Sequence, residues 1–124
     1  MQYRPARLFS LPLVILSVLC LTLQGARAES GIASVYSGEK TANGEYAHAG
    51  RLTAAHKSLP FGTMVQVTNR ANGRSVTVRI NDRGPFIRGR IIDLTPAGAR
   101  AIGFNGLAKV DLQVLGRVAE ARGN

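Results

Sequence analysis

The sequence predicts one small domain that is mainly β, a closed barrel or a sandwich of short strands with one or two short helices. Three observations support this prediction. The chain has 124 residues, a length that suits a single domain. Several short segments alternate apolar and polar residues, which is the period of a half-buried strand. Fourteen glycines supply the tight turns that many short strands require.

The N-terminal segment has the layout of a secretory signal. Two arginines lie among the first seven residues, residues 8–23 are mostly apolar, and Ala26-Arg27-Ala28 has small residues at both positions that a signal peptidase reads. The apolar run of about 16 residues is shorter than the roughly 20 residues needed to span a bilayer. We therefore expect residues 1–28 to be a signal peptide that is cleaved before Glu29.

Composition and charge exclude several classes of protein. The single cysteine, Cys20, rules out an intramolecular disulfide framework and a Cys-based zinc site. Lipid attachment to Cys20 is not expected, because the bulky Leu19 stands where a lipoprotein signal carries a small residue. Cleavage would lower the formal net charge from +9 to about +6. An exported basic domain meets the cell wall and the membrane surface, so no nucleic-acid partner is expected.

After the signal, the first strand is expected over residues 31–36, and the clearest element is a β-hairpin. Residues 63–68 alternate, with Val65 and Val67 on one face, and residues 75–80 alternate in the same way. Between them Asn72-Gly73 is the strongest short signal for a two-residue turn. The pattern therefore predicts two antiparallel strands with one apolar face.

The remaining elements follow in the second half of the chain. Strands are expected over residues 90–94 and 110–115, where apolar residues are frequent. Between them Thr95 is a good helix N-cap, Pro96 suits the first helical position, and Gly103 suits the position after the last turn. We expect the folded domain to cover residues 29–116 and residues 117–124 to form a flexible tail.

Three residues in or beside predicted loops are candidates for acid–base chemistry: Glu45, His56 and Asp82. Two-residue alternation places Asp82 on the same face as the apolar Ile80, an unusual position for a carboxylate. The residues alone leave other roles open. Asp82 could accept hydrogen bonds from the amides of the turn that follows it. Glu45 could be a solvated turn residue, and His56 could be structural.

Aromatic and basic side chains are candidates for substrate binding. Tyr36 and Phe86 could stack on a sugar ring, or they could belong to the core. Arg79 and Arg83 could bind the carboxylates of an acidic polymer, or they could form a solvated basic face. The sequence has no nucleotide-binding glycine motif and no nucleophile elbow. The spacing of the three acid–base candidates matches no metal-ligand motif, so neither a cofactor nor a metal is expected.

The sequence resembles the rare lipoprotein A family of septal-ring lytic transglycosylases. The similarity extends in order, and with similar spacing, over nearly all of residues 31–115. The matching stretches are residues 31–36, 41–45, 52–63, the hairpin with Asn72-Gly73, residues 78–86 and residues 90–95. The resemblance implies a six-stranded double-psi β-barrel.

The resemblance also implies an activity. Members of this family are lyases that cleave the bond between N-acetylmuramic acid and N-acetylglucosamine in peptide-denuded glycan strands without hydrolysis, leaving 1,6-anhydro ends. By motif, the family's functional residues fall on Glu45, His56 and Asp82, and we expect Asp82 to be the acid and base. The implied location is the periplasm or cell envelope. The expected partners are glycan strands, with division-site or outer-membrane proteins as further candidates, and we expect a monomer.

Several positions depart from the family pattern. Val35 stands where the family has Trp, the loop over residues 36–41 is shorter, and Ala47 and His48 replace an aromatic residue followed by Asp or Asn. Because that loop often carries aromatic residues, its shortening favours an alternative: a non-catalytic, expansin-like module that binds or remodels the wall. A third hypothesis is an exported basic protein that binds anionic surfaces without sugar specificity.

Overall fold

The computed structural model describes residues 28–36, residue 38 and residues 40–118. The predicted signal segment up to residue 27 and the end of the predicted tail lie outside these residues. The described part contains the following strands and helix: β1 Ala28–Val35, β2 Thr53–Ala55, β3 Thr63–Asn69, β4 Ser75–Asp82, β5 Arg90–Leu94, α1 Pro96–Ala101 and β6 Ala108–Arg117. No helix within these residues is long and apolar enough to cross a membrane.

The six strands close into a barrel in the order β1-β5-β2-β4-β3-β6. The pairs β1–β5 and β2–β4 are parallel, and the other pairs are antiparallel. Parallel neighbours cannot be joined by a tight hairpin, so the chain crosses the barrel between them. The predicted six-stranded, mainly β barrel is confirmed.

The core is built from alternating residues of the strands. Val65 and Val67 of β3 and Val78 and Ile80 of β4 are fully buried, as period-two alternation predicts. Other strands, the loop after β2 and the residue after α1 complete the cluster with Ala33, Ala54, Leu59, Ile92, Leu94, Ile102, Val110 and Leu112. The hairpin that joins β3 and β4 is therefore predicted correctly in its strands and in its inward face.

Helix α1 also begins and ends where the sequence predicts. Thr95 has an extended backbone, and its hydroxyl oxygen accepts a hydrogen bond from the amide of Gly98, as an N-cap does. The same hydroxyl donates to the carbonyl of Arg51, which ties the helix to the loop before β2. Gly103 has a φ of +77°, the left-handed conformation that follows many helices.

One element and several strand boundaries differ from the sequence-based expectation. Strand β2 is not predicted, because it has only three residues and all are buried, so no alternation is visible. Ala28, assigned to the signal segment, lies at the start of β1. Arg117, assigned to the tail, instead ends β6, and its Nε donates to the carbonyl of Phe61 at 3.0 Å.

The hairpin turn offers a test of backbone strain. Gly73 has a φ of +76°, and a Cβ built on it would meet no atom within 4 Å. Gly73→Ala is therefore expected to lower the free energy of unfolding by about 1–2 kcal/mol, through the left-handed backbone alone. Denaturant unfolding measures the change. Gly50→Ala is the matched control, because its surroundings are equally open and its backbone is not left-handed. Equal stability of the two variants would contradict the prediction.

Candidate active site

Two loops are bound to the C-terminal end of β4. Three consecutive carbonyls of this strand accept backbone amides, one from the loop between β1 and β2 and two from the loop between β2 and β3. The pairs are Gly62 with Ile80 at 2.8 Å, Asn43 with Asn81 at 3.3 Å, and His56 with Asp82 at 3.1 Å. The loops that carry the candidate residues are therefore fixed to one short stretch of the barrel.

A bulge at this end of β4 changes the direction of the strand. In the parallel pair with β2, Ile80 lies opposite Ala54 and Asp82 opposite Ala55, so Asn81 has no partner on β2. Two-residue alternation consequently stops at this point. Ile80 is fully buried, whereas Asp82 is partly exposed and has turned toward a loop.

Hydrogen bonds to one of its two oxygens hold the Asp82 carboxylate in place. Its Oδ1 accepts the amides of Ala42 and Arg83, both at 2.8 Å. These include the turn contact that the sequence left open as an alternative role. Its Oδ2 accepts no hydrogen bond from the residues that the structure describes. One oxygen therefore orients the group, and the other remains available to a ligand.

A tight turn over residues 41–45 positions Glu45 near the C-terminal end of β4. The side-chain oxygen of Asn43 accepts both the hydroxyl of Thr41 at 2.7 Å and the amide of Glu45 at 3.0 Å. Gly44 has a φ of +96°, which closes the turn. The turn is joined to Asp82 through the amide of Ala42, so the two carboxylates share one support.

The Glu45 carboxylate is bound by two residues of β4. Arg79 donates to Oε1 at 3.0 Å and to Oε2 at 3.3 Å, and Asn81 donates to Oε1 at 2.9 Å. Partial burial acts to raise the pKa of Glu45, but the hydrogen bonds from Asn81 and Arg79 and the Arg79 charge outweigh it. The pKa of Glu45 consequently lies below its ordinary value, and the group is an anion at neutral pH.

His56 makes its ring contacts elsewhere. The residue is 6% exposed, and Nδ1 of its ring accepts the amides of Ser58 and Leu59, both at 3.1 Å. Because Nδ1 accepts, the proton of the neutral ring is on Nε2, which lies 2.9 Å from Oε1 of Glu29 on β1. The pair borders a cavity of about 300 Å³. Glu45 and Asp82 are thus both attached to the turn over residues 41–45 and the end of β4, while the ring of His56 bonds to its own turn and to β1.

The four candidate substrate-binding residues have different surroundings. Arg79 is paired with Glu45. Arg83 donates to the carbonyls of His56 and Leu59, and its guanidinium lies 4.1 Å from the ring centroid of Phe61. Tyr36 is half-buried and its hydroxyl oxygen is buried. Phe86 is 78% exposed and is the ring of this set most accessible to a ligand.

Sequence reasoning missed four residues of this region. Asn43 could have been predicted, because an Asn side chain in a turn often accepts the backbone amide two residues later, which forms an Asx turn. Tyr46 is 60% exposed, and its position next to Glu45 is the one feature of the sequence that points to it. Nothing local indicates Asn81 or Glu29, because their contacts depend on the bulge and on the closure of the barrel. Among the described residues, no group of three His, Cys, Asp or Glu side chains could hold a metal ion.

The fold and the site together define a double-psi β-barrel protein with two carboxylates at the end of one barrel strand. The chain belongs to the lytic transglycolase family, whose model matches residues 28–114. The fold that the resemblance implied is thereby confirmed.

Curated relatives agree with this assignment. A protein of Nostoc sp. named "Probable endolytic peptidoglycan transglycosylase RlpA" is 52% identical over 110 residues, covering 87% of this chain and 30% of the relative. A Campylobacter jejuni protein named "Endolytic peptidoglycan transglycosylase RlpA" is 50% identical over 100 residues, covering 76% of this chain and 36% of the relative. The chain therefore spans about a third of the length of these relatives.

Solved structures show the same fold. The expansin of Clavibacter michiganensis matches with a TM-score of 0.58 at 25% identity, covering 76% of this chain and 53% of the expansin. The Streptomyces papain inhibitor matches with a TM-score of 0.51 at 22% identity, covering 68% of this chain and 94% of the inhibitor.

Proposed function

We propose that this chain is an exported peptidoglycan lytic transglycosylase, a lyase that cleaves the bond between N-acetylmuramic acid and N-acetylglucosamine in peptide-denuded glycan strands. The observation that carries the proposal is the pair formed by Asp82 and Glu45 on one support at the end of β4. The family match and the names of the curated relatives support it.

In the first step Asp82 acts as the acid. With Oδ1 held by two amides, Oδ2 carries the proton and gives it to the glycosidic oxygen as the bond to the anomeric carbon breaks. The leaving sugar departs with a free hydroxyl. The anomeric carbon develops positive charge, as in other glycosidic cleavages.

In the second step Asp82 acts as the base. The 6-hydroxyl of the muramic acid residue attacks its own anomeric carbon, and Oδ2 takes the hydroxyl proton. The new carbon–oxygen bond closes the 1,6-anhydro ring, and Asp82 is protonated again. No water enters the products, so the reaction needs one carboxyl group that can give and then accept a proton.

Glu45 serves as a fixed negative charge. A group whose pKa is held below its ordinary value does not supply a proton near neutral pH. An anion beside the anomeric carbon stabilises the positive charge of the transition state. The two carboxylates therefore have different roles because their hydrogen-bond partners differ.

His56 and Arg83 support the site through the backbone. The ring of His56 holds the turn over residues 56–59, and Arg83 binds two carbonyls of that same turn. The amide of His56 in turn binds the carbonyl of Asp82. In this proposal both residues maintain the position of Asp82. Phe86 stacks on a sugar ring, and Tyr36 and Arg79 border the bound strand.

The proposed location is the cell envelope. A signal peptide cleaved before Glu29 would export the domain to its substrate, and the net positive charge favours approach to an anionic wall. Glycan strands are the proposed partner. The monomer is also part of the proposal, since both carboxylates come from one chain.

The alternative function is a non-catalytic module that binds or remodels the wall. The likeness to the Clavibacter expansin and the ion pair between Arg79 and Glu45 favour this alternative. It predicts that glycan strands bind to the chain and are not cut.

Product analysis separates these functions. Peptide-free glycan strands are incubated with the purified chain, and the new ends are identified by mass spectrometry. The proposal predicts 1,6-anhydro ends. Reducing ends would indicate a hydrolase, and intact strands retained by the protein would indicate a binding module; either result would overturn the proposal. Binding that disappears at high salt, without cleavage, would indicate a merely ionic interaction.

A further inference from the structure

We infer that Asn81 is a positioning residue for the proposed reaction, because its buried side-chain amide fixes the Glu45 carboxylate in place beside Asp82. The inference rests on the proposed function for its catalytic meaning. Its geometric content, a neutral donor that anchors Glu45, can be tested independently of any activity.

The burial of Asn81 is the first observation. The residue is 1% exposed, and its Nδ2 donates to Oε1 of Glu45 at 2.9 Å. Its Oδ1 is also buried, but it accepts no hydrogen bond from the described residues. A buried amide with one unsatisfied atom costs stability, and an apolar side chain of similar size would not. A buried polar group that costs stability beside a reactive carboxylate indicates a functional role.

The second observation is that Asn81 and Arg79 bind the Glu45 carboxylate in different ways. The two residues are two positions apart on β4 and bind the same carboxylate. The side chain of Arg79 is long and 27% exposed, and its Nη2 contributes a positive charge shared between both oxygens of Glu45. Asn81 has a short, enclosed side chain. It therefore defines the position of Oε1, and Arg79 adds a positive charge beside the same carboxylate.

The backbone of Asn81 is the third observation. Its carbonyl accepts the amide of Asn43, while its side chain binds Glu45 in the same turn. One residue thus holds the turn over residues 41–45 at two points. The bulge makes this possible, because Asn81 has no partner on β2 and its main chain is free to face the loop.

The test uses Asn81→Leu, a nearly isosteric change that removes the amide. We expect the variant to stay folded. Loss of the donor should move the carboxyl titration of Glu45 upward, toward the ordinary pKa of glutamate, as measured by NMR of ¹³C-labelled side chains. The turnover number on glycan strands should fall by about 10- to 100-fold, since a misplaced catalytic group has effects of this size. KM should change much less.

Three further variants complete the test. Asn81→Asp places a second carboxylate against Glu45 and should raise its titration midpoint further than leucine does. Asn72→Leu is the matched control, because Asn72 donates to the carbonyl of Ile102, remote from Glu45, and should leave the midpoint unchanged. Asn81→Ala replaces Asn81→Leu if the larger side chain prevents folding.

The outcomes separate the two claims. An unchanged Glu45 titration in folded Asn81→Leu or Asn81→Ala overturns the inference, whatever the activity. A shifted titration with an unchanged turnover number shows that the anchor exists without catalytic effect, and it also overturns the positioning role. Absence of anhydro products from the wild-type chain overturns the proposed function, while the titration still decides whether Asn81 anchors Glu45.

Discussion

Asp82→Asn is expected to reduce the formation of anhydro ends by at least about 100-fold, the size of a lost general acid and base. The amide cannot give a proton to the glycosidic oxygen or take one from the 6-hydroxyl. Its oxygen can still accept the amides of Ala42 and Arg83 that hold the native carboxylate. The barrel should therefore remain folded, and the loss should fall on chemistry and not on stability.

Mass spectrometry of the products, with circular dichroism of the same samples, measures this result. The matched control is Asp111→Asn. Asp111 lies at an exposed position on β6, where its Oδ1 accepts the hydroxyl of Ser30 at 2.7 Å. This control makes the same chemical change far from Glu45 and should retain wild-type activity. Wild-type product levels from folded Asp82→Asn would eliminate Asp82 as the acid and base.

Ile80→Ala is expected to lower the free energy of unfolding by about 2–5 kcal/mol. Ile80 is fully buried in the core cluster, and its removal leaves a cavity that the closed barrel cannot easily fill. A small domain has a stability of about 5–15 kcal/mol in total. The substitution therefore removes a large part of this stability. Its position is one residue before the bulge at Asn81.

Denaturant unfolding followed by circular dichroism gives the change. Leu115→Ala is the matched control, since Leu115 is 53% exposed on β6 and its truncation should cost less than about 1 kcal/mol. If Ile80→Ala and Leu115→Ala are equally stable, the barrel interior is not the source of stability that the structure indicates.

The parts of the fold that could be predicted from sequence are those with local signals. The hairpin follows from alternation on both sides of Asn72-Gly73, and α1 follows from its cap, its first proline and its final glycine. Strand β2 has no such signal, because its form depends on neighbours on both sides. The order of strands around the barrel is likewise set by long-range pairing. The resemblance to a known family implied this order through the fold, whereas the pattern of residues could not predict it.

The site shows the same division. The motifs identified Glu45, His56 and Asp82 together, yet they carry no information on which way each side chain turns. The bulge at Asn81 turns Asp82 toward the loop of Ala42, and the turn over residues 56–59 directs the ring of His56 to Glu29. These directions result from tertiary contacts that a period-two argument does not contain. The catalytic and substrate-binding assignments remain predictions, and Asp82→Asn tests the first of them.

The pairing of β1 has a consequence for the time course of folding. Ile32 of this first strand lies opposite Arg90 of β5 and Lys109 of β6. The two strands that pair with β1 are therefore the last two to be synthesised. A chain emerging from the ribosome cannot close its barrel until nearly all of residues 28–117 have been synthesised, and contacts this distant in sequence form slowly. Under the export proposed above, such a delay would keep the polypeptide open for a translocation channel.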